Sequence, residues 1–193
     1  MKKMKADEKI YEAYLELRQD RLYFNQLKEF TKLSNSSLQN ALDKLVKGNI
    51  LELDKTKSNT FYKIKDKKIF SLKFSEISAY KFNNLNVGIK VPLKNFLKNI
   101  SKELNMVVLF GSSSRKEEQK ESDIDILVVS NSKIDLTKNK KEAEITSKHP
   151  ISIFRVTINQ FMENRDDIII QARKTGFPIY KEQNFYEAIL DEY

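Results

Sequence analysis

Apolar residues follow two different periods in the first third of the chain. Apolar residues first recur every three or four positions, as on one face of a helix, and later alternate with polar residues, as in a strand. The elements predicted from this pattern are helices at residues 8–19, 25–32 and 35–47, strands at residues 50–53 and 61–64, and a polar hairpin turn at residues 54–60.

The third predicted helix has the clearest start and end. Ser34 and Asn35 are suited to cap its first turn. Gly48 is predicted to end it in the left-handed conformation, which glycine enters without strain. Its apolar stripe consists of Leu38, Ala41, Leu42 and Leu45.

Strand-like and helix-like stretches alternate through the rest of the chain. Residues 69–85 are predicted to be helical in part, and Pro92 suits the first turn of a following helix whose inward positions run to Leu104. The elements predicted beyond it are strands at residues 106–110, 123–129 and 151–157, one helix at residues 158–176, an edge segment at residues 177–180 and a final helix at residues 185–190. The fold class is therefore α+β.

The formal net charge of +8 is unevenly distributed. Residues 1–70 hold 16 Lys and Arg against 10 Asp and Glu, whereas residues 71–193 hold 19 against 17. A basic excess in one part of a chain is typical of a nucleic-acid-binding module. A lysine-rich surface that is only solvated is the alternative.

The composition excludes several classes of site. Cysteine is absent, so disulfides, thiolate metal sites and a cysteine nucleophile are excluded. The basic start of the chain lacks the apolar stretch of a signal peptide, and no run approaches the ~18 apolar residues of a membrane span. We expect a cytoplasmic protein without membrane contact, in which the single histidine, His149, is a loop residue.

Three helices followed by a basic hairpin resemble a winged helix-turn-helix domain. By this resemblance Asn35–Lys47 is the recognition helix, residues 54–60 are the wing, and duplex DNA is the partner. The residues predicted to contact DNA are Ser36, Ser37, Gln39, Asn40 and Lys44 on the helix and Lys55 and Lys57 in the wing. A small helical domain that packs against a partner protein is the alternative.

The residues that carry chemistry follow two predicted strand boundaries. Asp123 and Asp125 are two positions apart, so on a strand both carboxylates project from the same face. Their repulsion is relieved if they share a hard divalent cation such as Mg²⁺. Gly111 lets the backbone approach a phosphate closely, and Ser112 can donate a hydrogen bond to it.

Together with Arg115, these residues closely resemble the signature of the polymerase-β-like nucleotidyltransferase superfamily, especially its minimal archaeal and bacterial members. The resemblance implies that Asp123 and Asp125 are catalytic and bind Mg²⁺ or Mn²⁺. It also implies that Gly111 and Ser112 bind a nucleoside triphosphate (NTP), with Arg115 either at its phosphates or in an exposed ion pair. The expected domains are a winged helix at residues 1–70, a connection at residues 71–91 and a small mixed-sheet nucleotidyltransferase domain at residues 92–193.

Two positions depart from the family pattern. The family has a third metal-binding carboxylate on a later strand, where this chain has Ser152. Relatives often have a glycine where this chain has Lys116. Glu142 and Glu144 are the alternatives for the third carboxylate if the later strand begins sooner than predicted.

The resemblance implies transfer of a nucleoside monophosphate from an NTP to an acceptor hydroxyl, with release of pyrophosphate. Relatives of the minimal kind often act as antitoxins that modify a partner toxin protein, which implies a protein acceptor; small molecules and RNA ends are alternatives. The rival hypothesis is a DNA-binding regulator whose transferase domain has lost catalysis and senses nucleotide or forms a homodimer.

Overall fold

The computed structural model describes residues 4–57 and 59–192, so Ser58 in the predicted turn lies outside the described residues. The chain divides into two compact units. One comprises the residues up to Ile77 and from Tyr186 onward, and the other comprises Ser78–Phe185. None of the helices in the described ranges is long and apolar enough to cross a bilayer.

The first unit combines helices with a three-stranded antiparallel sheet of order β1-β3-β2. Its elements are α1 (Ala6–Leu17), β1 (Arg21–Tyr23), α2 (Phe24–Thr31), α3 (Asn35–Lys47), β2 (Leu51–Lys55), β3 (Thr60–Ile64) and the larger part of α4 (Lys67–Asn83). The three predicted helices and the hairpin are confirmed. Strand β1 was not predicted, because three residues are too few for a period of two to emerge.

The start of α3 agrees with the prediction, whereas its end does not. The Ser34 hydroxyl accepts a hydrogen bond from the Ser37 amide at 3.3 Å and so caps the helix. Gly48 has φ −78°, and the left-handed conformation is taken by Asn49 at φ 55°. The helix ends at Gly48 as predicted, but the left-handed conformation predicted for this residue is wrong. Asparagine tolerates the left-handed region better than most side chains, so Asn49 adopts it instead.

Aromatic rings fill the core of the first unit. Tyr11, Tyr14 and Phe74 meet the ring of Phe70 edge-on, with centroids 5.0, 5.2 and 5.6 Å away. The Tyr14 side chain is 1% exposed, and its hydroxyl donates a 2.6 Å hydrogen bond to the carbonyl of Tyr62. This bond joins α1 to β3 and satisfies a hydroxyl that burial would otherwise leave without a partner.

The second unit is built on a four-stranded sheet of order β6-β5-β4-β7, in which β5 and β6 are parallel and the other pairs are antiparallel. Its elements are α5 (Val87–Leu97), β4 (Met106–Phe110), α6 (Gly111–Arg115), β5 (Ile124–Val129), α7 (Thr137–Glu144), β6 (Ile151–Val156), α8 (Ile158–Glu163), α9 (Asp167–Thr175), β7 (Phe177–Tyr180) and the first part of α10 (Glu182–Leu190). A mixed α+β architecture is therefore confirmed.

Helix α5 begins earlier than predicted. Pro92 lies inside it rather than in its first turn, and the helix ends at Leu97 instead of continuing to Leu104. Proline removes one backbone hydrogen bond from the helix. Burial of one face offsets that loss, since the side chains in the core of this unit are Ile89, Leu93 and Phe96.

The single helix predicted at residues 158–176 is two helices. Asn164 has φ 52° and ends α8. Asp166 then caps α9, because its carboxylate accepts a hydrogen bond from the Ile168 amide at 2.8 Å. Asn164 and the Asp166 cap thus divide a stretch that the sequence pattern predicts as one helix.

The buried Tyr14 hydroxyl gives a test of the first unit. Tyr14→Phe should lower the free energy of unfolding by about 1–2 kcal/mol, because it leaves the buried Tyr62 carbonyl without its partner. Urea unfolding followed by circular dichroism measures the change. Tyr80→Phe is the control, since Tyr80 is 61% exposed and should lose nothing measurable. Equal values for the two variants would contradict the role given to the Tyr14 hydroxyl.

Candidate active site

A turn that excludes a side chain joins β4 to α6. Gly111 has φ 72°, in the left-handed region that L side chains rarely adopt. A Cβ at this position would lie far inside contact distance of the Asp125 carboxylate. Glycine is therefore required both by the backbone conformation and by the neighbouring side chain. This close approach brings the predicted nucleotide-binding turn and the predicted metal ligands together.

The aspartates lie at the start of β5, and both are partly buried. Asp125 stands beside Phe110 of β4 and Ser152 of β6 in the strand register. Burial raises the pKa of Asp125, and the negative charge of Asp123 raises it further. The surroundings of Asp125 therefore disfavour its ionised form, and the smaller contribution, from Asp123, is the repulsion expected from the sequence.

Ser152, the residue that the resemblance matches to a third carboxylate, contacts Asp123. Its hydroxyl donates a 2.8 Å hydrogen bond to Asp123 Oδ2. Strand β6 begins at Ile151, and Glu142 and Glu144 lie on α7. The alternative that an earlier start of the strand brings one of these glutamates into the site is therefore wrong. Within residues 4–57 and 59–192, no three His, Cys, Asp or Glu side chains cluster as a metal site would need.

Contacts between distant residues fix the loop before Asp123. His149 Nδ1 lies 2.9 Å from the carbonyl oxygen of Ser122, which only accepts, so this nitrogen carries the proton. The Ser113 hydroxyl donates to the Asp123 carbonyl at 3.3 Å. His149 is the predicted loop residue, with a supporting role that sequence reasoning missed. No local motif could have shown it, because 27 positions separate it from Ser122.

Arg115 and Lys116 lie at the end of α6. Arg115 Nε lies 2.7 Å from Glu117 Oε2, and both side chains are exposed. The ion-pair alternative for Arg115 is thus present, and its contact with phosphate stays a prediction. Lys116 has φ 59°, the left-handed conformation that glycine adopts without strain.

In the first unit, α3 presents the polar side chains predicted to contact DNA. Exposed positions are Ser36, Gln39, Asn40 and Lys44, and Ser37 is partly exposed. Gln39 donates a 2.8 Å hydrogen bond to Asp43 on the same helix. The predicted wing at residues 54–60 is too long, because Lys55 lies in β2 and pairs with Thr60 of β3, whereas Lys57 lies in the turn.

Comparison with known proteins agrees with this geometry. Residues 92–185 match the model of the family described as polymerase beta, nucleotidyltransferase. No curated protein and no solved structure matches the chain. The matched segment contains the Gly111 turn, the aspartate pair and Ser152, and it supports a nucleotidyltransferase domain of the polymerase-β-like superfamily in this part of the chain.

Two glycines allow a matched test of the turn. Gly111→Ala should lower the free energy of unfolding by about 1–3 kcal/mol, because alanine is strained at φ 72° and meets the Asp125 carboxylate. Gly88→Ala should be neutral or stabilising by up to about 1 kcal/mol, since no atom lies within 4 Å of the added Cβ and the residue is in α5. Urea denaturation compares them. A Gly111→Ala variant as stable as Gly88→Ala would contradict the described packing.

The pKa shifts predict opposite effects for two aspartates. The pKa of Asp125 is raised above its ordinary 3.8, the value expected in the unfolded chain. Stability should therefore fall as the pH rises from about 3.8 through the raised pKa of the folded protein. Asp125→Asn should therefore increase stability at neutral pH, with little effect at pH values below 3.8. Hydrogen bonds from Thr137 lower the pKa of Asp135 below its ordinary 3.8. Ionised Asp135 therefore stabilises the fold at pH values above 3.8, and this stabilisation is lost as the pH falls through the lowered pKa.

Thermal unfolding of both variants across acidic and neutral pH measures this difference. Asp135→Asn should decrease stability at neutral pH, and the decrease should vanish in acid. Metal-free buffer is required, because a cation bound between the aspartates would reverse the sign for Asp125. A decrease in stability for Asp125→Asn at neutral pH without metal would contradict the uncompensated charge inferred here.

Proposed function

We propose that the second unit transfers a nucleoside monophosphate from an NTP to an acceptor hydroxyl, and that the first unit binds duplex DNA. The observation that carries the proposal is the contact of Gly111 with the Asp125 carboxylate inside a segment that matches the nucleotidyltransferase family. The reaction forms a bond between the acceptor oxygen and the α-phosphorus and releases pyrophosphate.

The phosphates of the NTP lie against the Gly111 turn in this proposal. The backbone amides that follow position 111 donate hydrogen bonds to phosphate oxygens in this arrangement. Ser112 is partly exposed and adds a hydroxyl donor. Arg115 reaches the phosphates only if it leaves Glu117, an exchange of one exposed ion pair for another.

The donor set fits one hard divalent cation. Asp123 and Asp125 supply carboxylate oxygens, and burial together with the Asp123 charge raises the pKa of Asp125, so that a bound cation would favour its ionised form. Mg²⁺ or Mn²⁺ prefers such ligands, and when bound it supplies positive charge to neutralise the triphosphate. Ser152 contributes a neutral hydroxyl where a third carboxylate would complete a site for two ions.

Proteins are the acceptor class that we favour, by resemblance to minimal nucleotidyltransferases that modify a partner toxin as antitoxins. RNA ends and small molecules are the other acceptors that carry a hydroxyl. A modified partner would contain a new phosphodiester, which mass spectrometry detects directly.

A second candidate function is supported by Ser152. Its hydrogen bond to Asp123 replaces an anionic ligand, so that activation of an external acceptor hydroxyl is weaker than in relatives with three carboxylates. In this alternative the chain is a DNA-binding regulator or antitoxin that senses nucleotide with little or no transfer. Both candidates share the nucleotide site.

The DNA-binding part of the proposal rests on the first unit. The element order α1-β1-α2-α3-β2-β3, with a three-stranded antiparallel sheet, supports a winged helix. The exposed polar face of α3 and the excess of basic residues in this part of the chain support contact with a phosphate backbone.

Metal-dependent nucleotide binding tests the shared site. Calorimetry with Mn²⁺ and a non-hydrolysable NTP analogue should show that Asp123→Asn and Asp125→Asn each weaken binding by at least about tenfold, because each amide removes one charged ligand. Asp135→Asn is the control: it removes an aspartate charge from an exposed position of the same unit. Undiminished binding by both site variants would show that the metal–nucleotide site lies elsewhere.

Salt dependence tests DNA binding by the full chain. Affinity for a short duplex, measured by fluorescence anisotropy, should fall steeply with salt as counterions are released. Lys44→Ala should lower the slope of log affinity against log salt by about one. Lys94→Ala removes the same charge from α5 of the second unit and should leave the slope unchanged. Absence of binding at low salt, or equal effects of the two variants, would contradict the proposal.

A further inference from the structure

Three serine hydroxyls near the Gly111 turn and Asp123 differ in their hydrogen-bond acceptors. Ser113 donates to the main-chain carbonyl of Asp123, and Ser114 donates to the carbonyls of Gly111 and Thr175. Ser152 instead donates to the side-chain carboxylate of Asp123, with Oγ 2.8 Å from Oδ2. A carbonyl holds a hydroxyl proton in place, whereas a carboxylate can remove it.

The position of Ser152 is fixed by the sheet. It lies on β6, paired in register with Asp125 of β5, so its side chain stands beside both aspartates. Strand β6 is an edge strand of the four-stranded sheet, with β5 as its neighbour on one side. Ser152 is also partly exposed, so that an incoming group can reach its oxygen. A hydroxyl, a proton acceptor and the proposed triphosphate site therefore meet at one point.

We propose that Ser152 is itself an acceptor, and that the protein transfers a nucleoside monophosphate to this side chain. The Oγ proton passes along the existing hydrogen bond to the Asp123 carboxylate. Oγ forms a bond to the α-phosphorus of the NTP, the bond from that phosphorus to the oxygen bridging to the β-phosphate breaks, and pyrophosphate leaves with the electron pair. This inference rests on the proposed NTP site and adds a specific substrate to it.

The product would limit the reaction to one turnover per chain. A phosphodiester on Ser152 adds a negative charge beside the Asp123 and Asp125 carboxylates. A second triphosphate would meet this charge and the attached nucleotide in the space it needs. The modified chain is thus a stable second form of the protein, distinct in charge at the site.

Labelling of the full chain tests the inference. The purified protein is incubated with Mn²⁺ and each of the four common NTPs labelled at the α-phosphate, then denatured and digested. We expect at most one label per chain, located on the peptide that contains Ser152 by tandem mass spectrometry. Ser152→Ala should reduce the label at least about tenfold when metal and nucleotide are present at concentrations that saturate the site.

Ser130→Ala is the matched control, because its hydroxyl donates to the Ser132 carbonyl at the far end of β5 and should not affect labelling. The rate constant should not depend on protein concentration, since acceptor and nucleotide site belong to one chain. Nucleotide binding without label, or label that persists in Ser152→Ala, would overturn the inference and leave the nucleotide site intact. Failure to bind the metal–nucleotide analogue would instead contradict the proposed function, and the inference with it.

Discussion

The carboxylate of Asp125 occupies the space that a side chain at position 111 would need. This contact accompanies the positive φ of Gly111 and the sharp passage from β4 into α6. Gly176 plays a similar part at the end of α9, where a Cβ would meet main-chain oxygens of Leu109 and Ala172. Two missing side chains thus allow two helices to close on the end of β4.

The strand register turns this local contact into a site. Phe110, Asp125 and Ser152 lie side by side on β4, β5 and β6, so a change in any one strand would move the aspartates away from the turn. The hydrogen bond from Ser152 then takes one lone pair of Asp123 without adding charge. In our proposals the two carboxylates bind one cation, and the hydroxyl accepts the nucleotide.

Local patterns were sufficient to predict β4 and β5, which are apolar runs of strand length, and α3, which has a helical period and a capping serine. The aspartate spacing and the Gly111 turn likewise predicted residues that lie close together in the structure. Pairings across the sheet were not predictable: Ser152 lies 29 positions from Asp123, and nothing in either neighbourhood shows that they touch. Helix α5 was placed wrongly because burial of Ile89 outweighed the signal of Pro92. Strand β1 was not predicted either, because its pairing with β3 joins residues that are distant in the sequence.

The proposed function requires that the aspartate pair and the Gly111 turn bind one cation and one triphosphate. Anomalous diffraction from crystals grown with Mn²⁺ and a non-hydrolysable NTP tests this most directly. The predicted result is one manganese peak between Asp123 and Asp125, with the triphosphate against Gly111 and Ser112, and a second manganese peak only in Ser152→Asp. Manganese bound away from both aspartates, or a triphosphate bound away from the turn, would contradict it.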